Sequence, residues 1–233
     1  MKNSKKIILD LCGGTGAWSE PYKKAGYDVR LITLPDFDVK ENWLFRDSKK
    51  ICFLNLLNRK IMEVAMKNVY GILAAPPCTE FSKACFNKKK KDRDFSTGFE
   101  VVRACLEIIW IIQEKGAPLK FWALENPMGY LNRFLGHPAF YFQPWQFGET
   151  DFRRTKRTYL WGYFNPPAKT FLKRDFPFIT QYTPRRKNKS KFPLFPKYQP
   201  EKQRGNKDWG KVRAEERAKT SAYFAKAFFK ANQ

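Results

Sequence analysis

Residues 6–34 constrain the fold more than any other stretch of the chain. Residues 6–11 read as a short buried strand, with Ile7, Ile8, Leu9 and Leu11 apolar around Asp10. Gly13, Gly14 and Gly16 follow in one tight turn, and a helical stretch then leads to about Ala25, with Gly26 placed to close it. A second strand is expected over residues 28–34. Strand, glycine turn, helix and strand in that order make a parallel pair, so an α/β fold is expected.

The alternation continues. Strands are expected over residues 69–75, 120–124 and 157–161. Helical periodicity is clearest over residues 96–115, where Phe99, Val102, Leu106, Ile109 and Ile112 share one face. Residues 49–67 are read as a second amphipathic helix through Ile51, Leu54, Ile61, Val64 and Ala65. A C-terminal helix is expected over residues 213–231, with Phe224, Ala227 and Phe228 on one side. No internal repeat interrupts this order. Polar residues that suit chemistry fall at the C-terminal ends of the strands, where open α/β sheets bind their ligands.

Composition narrows the partner. Lys and Arg number 45 against 22 Asp and Glu, a net charge of +23 over 233 residues. Such a surplus calls for a polyanion, nucleic acid first and an anionic membrane second. Residues 169–213 hold 14 basic and 3 acidic residues, a net +11, interleaved with Phe, Tyr, Trp and Pro. Basic groups mixed with stacking aromatics suit nucleic acid better than a merely solvated surface. Lys88, Lys89, Lys90 and Lys91 form a second basic run. No apolar run reaches the ~18 residues of a membrane span, and the N-terminal apolar stretch is too short for a secretion signal. The five cysteines lack metal-type spacing and His137 is the single histidine, so no metal site and no disulfide framework is expected. These features together point to a cytoplasmic protein with reduced thiols.

Four short segments carry candidate chemistry. The turn Asp10-Leu11-Cys12-Gly13-Gly14-Thr15-Gly16 lets a ligand approach the backbone; it equally suits a tight turn with no ligand, and it lacks a phosphate-loop Lys. Asp36 and Asp38, just past the second strand, could hold ribose hydroxyls or simply close a turn. Pro76-Pro77-Cys78-Thr79-Glu80-Phe81-Ser82 fixes a thiol at a strand end, where a polar flank argues against an inert buried Cys. Glu125-Asn126-Pro127 ends the next strand, as an acid, a cap or an ion-pair partner.

Taken in order, these segments resemble the DNA cytosine-5 methyltransferase family, in particular its small phage and bacterial members, over about residues 6–162. The glycine motif is similar to Asp10–Trp18, the nucleophile motif to Pro76–Ser82, and the Glu-Asn-Val motif to Glu125–Pro127. Of the Gln-x-Arg-x-Arg motif only Arg157 matches; Arg153 stands for the Gln and Thr155 for an Arg. Cys12 stands where the family usually has an aromatic, residues 49–67 look like an insertion, and the Gly-Asn-Ser-Val motif is missing. The resemblance implies a Rossmann-like, class I S-adenosylmethionine-dependent domain over residues 1–162, with a mostly parallel sheet flanked by helices. A short, irregular, basic recognition segment would cover residues 163–212. A helix over residues 213–233 would pack back on the catalytic domain.

The resemblance also implies roles. Cys78 would be the nucleophile, Glu125 the acid, Asn126 its orienting neighbour and Arg157 a donor to the base. S-adenosyl-L-methionine, leaving as S-adenosyl-L-homocysteine, would sit against Asp10, Cys12, Gly13, Gly14, Thr15, Gly16, Trp18, Asp36, Asp38, Pro76 and Thr220. DNA would meet Pro77, Thr79, Ser82, Lys88, Lys89, Lys90, Lys91, Arg153, Thr155, Arg185, Arg186 and Lys187. The expected substrate is double-stranded DNA with a flipped cytosine in a short or relaxed target, bound by a monomer, in a restriction-modification or phage setting. Two alternatives stay open: an RNA (tRNA-type) cytosine-5 methyltransferase, and a non-catalytic nucleic-acid binder on the same scaffold.

The chemistry fits these residue types independently of the family. C5 of cytosine is a poor nucleophile until a thiolate adds at C6, which splits one difficult step into two easier ones. An acid near N3 and a cation near O2 would take up the charge that collects on the ring. No histidine lies near Cys78 in sequence, against a Cys–His hydrolase.

Overall fold

The computed structural model describes residues 2–44, 49–83, 90–149, 157–172 and 219–233. In chain order the elements are β1 (Ile7–Leu11), α1 (Glu20–Lys24), β2 (Asp28–Ile32), β3 (Phe37–Leu44), β4 (Lys50–Asn55), β5 (Ile61–Ala65), β6 (Val69–Ala74), α2 (Phe95–Glu114), β7 (Phe121–Pro127), α3 (Asn132–Leu135), β8 (Phe140–Phe142), β9 (Thr158–Tyr163) and α4 (Ala222–Ala231).

The main sheet has the order β2-β1-β6-β7-β9-β8. Its first four strands are parallel, while β9 runs antiparallel to β7 and β8 antiparallel to β9. This is an α/β architecture with a mostly parallel central sheet. All five β1 residues are buried, because a central parallel strand is covered on both faces.

Helix α2 buries Val102, Ala104, Cys105, Ile108, Ile109 and Ile112. Asp94 caps it, its carboxylate accepting from the Thr97 amide at 3.0 Å. On the other face α4 seats Phe224 and Phe228 against Trp18, with ring centroids 5.9 and 5.3 Å away. The end of α4 is fastened to the exit of β9: the Asn165 amide donates to Asn232 Oδ1 at 2.8 Å, and Asn232 Nδ2 donates back to the Asn165 carbonyl at 3.0 Å.

Residues 49–67 correct the helix expected from sequence. They fold as the antiparallel hairpin β4–β5, which joins β3 in a second sheet of order β3-β4-β5. The cause is local. The Asn55 side chain accepts from the amides of Leu57 and Asn58, both at 3.0 Å, and Arg59 takes φ 58°, so the chain reverses where a helix would have to continue. Ile51, Phe53 and Val64 then bury in the same core as α2. Two further boundaries move. Helix α1 begins only at Glu20, because residues 14–19 wind as turns ahead of Pro21, and α4 begins at Ala222. Residues 173–218 lie outside the described residues, and with them most of the expected recognition segment and the first part of the expected C-terminal helix.

Candidate functional site

The sheet order brings three strand ends to one edge. Strands β1, β6 and β7 are neighbours and parallel, so the segments that follow them emerge side by side. Leu11 pairs with Ala74, the Ala75 amide donates to the Leu11 carbonyl at 2.9 Å, and Ala74 pairs with Leu124. The glycine turn, the Pro76-Pro77-Cys78 segment and Glu125-Asn126 are therefore adjacent in space.

The glycine turn is shaped from beneath. Asp10 is fully buried and its Oδ2 accepts from Ser19 Oγ at 2.5 Å, while its Oδ1 has no hydrogen-bond partner among the described residues. A Cβ on Gly13 would lie 2.1 Å from Asp10 Oδ1, so only glycine fits there. Cys12 takes φ 58°, unusual for a side-chain-bearing residue, and its amide donates to the Ile32 carbonyl at 2.8 Å. Gly14, at φ 57°, is exposed, and a Cβ there would meet nothing within 4 Å. The Gly14 amide donates to Thr33 Oγ1 at 3.2 Å, which fastens the turn to the end of β2. Burial raises the Asp10 carboxyl to a pKa of about 6, an effect the Ser19 hydrogen bond partly offsets.

Asp36 is exposed four residues beyond β2, whereas Asp38 lies within β3 and accepts from the Lys40 amide at 2.9 Å. Trp18 is buried beside α4, and its indole N–H has no partner among the described residues. Thr220 and Ser221 lead into α4, whose Phe224 and Phe228 rest on Trp18. The Cys105 thiol of α2 hydrogen-bonds with Cys12, and this contact together with burial raises its pKa well above the usual thiol range.

The thiol turn is pinned from several sides. The amides of Phe81 and Ser82 donate to the Cys78 carbonyl at 3.1 and 2.7 Å. Asn126, fully buried, donates through Nδ2 to the Pro76 carbonyl at 3.1 Å, tying the end of β7 to the residues just before the thiol. Arg93 Nη1 donates to the carbonyls of Thr79 and Glu80 at 3.2 and 2.8 Å. Ser82 bridges to Gly129, where a Cβ would lie 2.0 Å from the Phe81 carbonyl oxygen. Glu125 is half-buried and pairs in register with Leu160 on β9. Arg157 immediately precedes β9. Its carbonyl accepts from the Met128 amide at 2.8 Å, and its exposed guanidinium reaches Met128 Sδ at 3.8 Å.

The structure thus gathers Asp10, Cys12, Gly13, Gly14, Thr15, Gly16, Pro76, Pro77, Cys78, Thr79, Ser82, Glu125, Asn126 and Arg157 along one edge of the sheet. Lys90 and Lys91 begin a 3-10 turn that leads towards α2. Lys88, Lys89, Arg153, Thr155, Arg185, Arg186 and Lys187 lie outside the described residues. Sequence reasoning missed Ser19, Thr33, Arg93 and Gly129, which act through a carboxylate, a backbone amide, backbone carbonyls and sheer lack of room. Only Gly129, two residues after Pro127, left a visible signal. A separate cleft of about 470 Å3 opens between β3 and α2, over Phe95, Phe99 and Phe134, and none of the candidate residues lines it.

No family model matches the chain. The chain is similar to a Type II methyltransferase. That protein, M.DdeI from Desulfomicrobium norvegicum, is 27% identical over 128 residues. The match covers 54% of this chain and 28% of the relative's own length. Among the described residues no helix is long and apolar enough to cross a membrane.

Proposed function

We propose that the protein transfers a methyl group from S-adenosyl-L-methionine to C5 of cytosine in DNA, on a Rossmann-like methyltransferase scaffold. The observation that carries this reading is the adjacency of the Cys78 turn to the glycine turn on one side and to Glu125 and Asn126 on the other. The similarity to a Type II methyltransferase supports methyl transfer to DNA, and the net charge of +23 supports a polyanionic substrate.

The residues present fit the donor. The glycine turn is open at Gly14, and Asp36 offers an exposed carboxylate beyond the adjoining strand β2 for ribose hydroxyls. Asp10 supports the turn from below, and the resemblance assigns Trp18, packed on α4, and Thr220, just ahead of it, to the same donor site. When bound, the donor supplies an electrophilic methyl group on a sulfonium and leaves as S-adenosyl-L-homocysteine.

Cys78 adds as a thiolate to C6 of the ring, which makes C5 electron-rich. Glu125 donates a proton at N3 as charge builds on the ring, and Arg157 stabilises O2. Once C5 carries the methyl group, loss of the C5 proton to a base and expulsion of the Cys78 thiolate restore the C5–C6 double bond, and N3 returns its proton to Glu125. Asn126 holds Pro76 and so fixes the thiol relative to the acid. The target atom is inaccessible in a stacked duplex, so the cytosine must be flipped out.

The test is transfer of a labelled methyl group to DNA, with bisulfite sequencing to locate the product. Wild-type protein should give 5-methylcytosine, and Cys78→Ala should give none while still binding the donor. Turnover by Cys78→Ala, or methylation at an exocyclic nitrogen, would overturn the assignment. Sequencing would also show whether the target is short, as proposed, or a long fixed motif.

A further inference from the structure

Beside the thiol turn three cations converge on one aromatic ring. Lys83 Nζ, Arg93 Cζ and Arg133 Cζ lie 5.7, 5.3 and 5.7 Å from the Tyr130 ring centroid. The ring is fixed in place. The Tyr130 amide donates to the Phe81 carbonyl at 2.8 Å, and the ring meets Phe95 edge-on at 5.6 Å between centroids.

The three cations are not equivalent. Arg93 is committed to the turn through the carbonyls of Thr79 and Glu80. Lys83 and Arg133 are exposed, and among the described residues neither has a carboxylate within ion-pairing distance. A cation over a partly exposed ring gains little, on the order of 0.5–1 kcal/mol, so the Tyr130 contact leaves both cations available to an anion. Both cations reach the same ring, which makes its edge a site where an anion can draw on either. A phosphodiester oxygen suits it, because guanidinium forks match phosphate geometry and Lys adds a point charge.

We propose that Lys83 and Arg133, steered by the Tyr130 ring, hold a DNA backbone phosphate next to the nucleotide presented to Cys78. Lys83 directly follows Ser82, which is bridged to Gly129, and Tyr130 directly follows Gly129, so a phosphate held here lies beside the thiol turn. The site rests on the DNA-methylating reading above and adds to it where the strand is gripped. Phosphate contacts fix the register of the strand without reading its sequence.

The test is the salt dependence of binding to a short DNA duplex of arbitrary sequence, measured for wild type, Lys83→Ala/Arg133→Ala, and Lys115→Ala at the far end of α2. Thermal melting of each variant checks that the fold survives. Removing one phosphate contact should lower the slope of log K against log salt by about 0.9 and weaken binding about tenfold at low salt. Lys115→Ala should match wild type. A double variant with wild-type slope and affinity would overturn the proposal, as would an equal effect from Lys115→Ala or wild-type protein that binds RNA but not DNA. Covalent trapping on 5-fluorocytosine DNA is run in parallel. A normal adduct with an unmoved slope removes the phosphate site and keeps the chemistry, while a lowered slope with no adduct does the reverse.

Discussion

Replacing Asp10 with Asn should change how stability depends on pH. Asp10 is fully buried and its pKa is raised from 3.8 to about 6, chiefly by desolvation. A buried carboxyl with a raised pKa favours the protonated form in the folded state. Between the unfolded and folded pKa values the native protein therefore holds more protons than the unfolded chain, and stability falls as pH rises through about 4–6. A shift of about two units corresponds to roughly 3 kcal/mol in total. Part of it is already spent at pH 4.5, so about 2 kcal/mol remains between pH 4.5 and 7.5. Asn cannot ionise, but its carbonyl oxygen can still accept from Ser19. Urea unfolding of both proteins across that range should show the variant gaining about 2 kcal/mol on wild type as pH rises, roughly 4–8 °C in melting temperature for a chain of this size. Parallel stability curves would refute the reasoning, because they would mean that Asp10 is solvated or already neutralised.

Other outcomes follow from contacts around the site. Gly129→Ala forces a Cβ to 2.0 Å from the Phe81 carbonyl and should distort the Cys78 turn; kcat should collapse while donor affinity, measured by calorimetry, holds. Asn126→Ala removes the bond to Pro76 and should slow methyl transfer more than it lowers the melting temperature, which paired kinetic and thermal measurements would show. Phe228→Ala empties a core position shared by Trp18 and Phe121 and should cost about 3–5 kcal/mol in denaturant unfolding.

Much of the fold was legible in the sequence because its central strands are buried on both faces and read as continuous apolar runs. Strands β1, β2 and β6 and helix α2 emerged close to their observed bounds, and β7 and β9 were found although they run three and two residues further. The hairpin β4–β5 was misread because the apolar residues of two strands, taken together, mimic a helical stripe. The deciding signal was Asn55 and its turn, not periodicity. Strands β3 and β8 were missed: β3 mixes charged residues into its pattern, and β8 has only three residues at the sheet edge. At the site, Cys78, Glu125 and the glycine turn stood out because each follows an expected strand in a short motif of its own, Cys78 fixed by Pro76 and Pro77 with a polar flank. The partners that hold them did not. Asn126 bonding Pro76, Arg93 bonding two carbonyls and Asp10 lying under Gly13 are relations between strands that adjoin only once the sheet has formed.

The central claim is that Cys78 becomes covalently joined to cytosine during methyl transfer. Incubating the protein with donor and 5-fluorocytosine DNA, followed by mass spectrometry of the denatured complex, tests it directly. Fluorine at C5 blocks the final elimination, so the account predicts a stable adduct carrying the added methyl group, with the peptide link at Cys78 and no adduct from Cys78→Ala. A wild-type protein that methylates ordinary DNA yet leaves the fluorinated strand unbound, or an adduct at another residue, would contradict it.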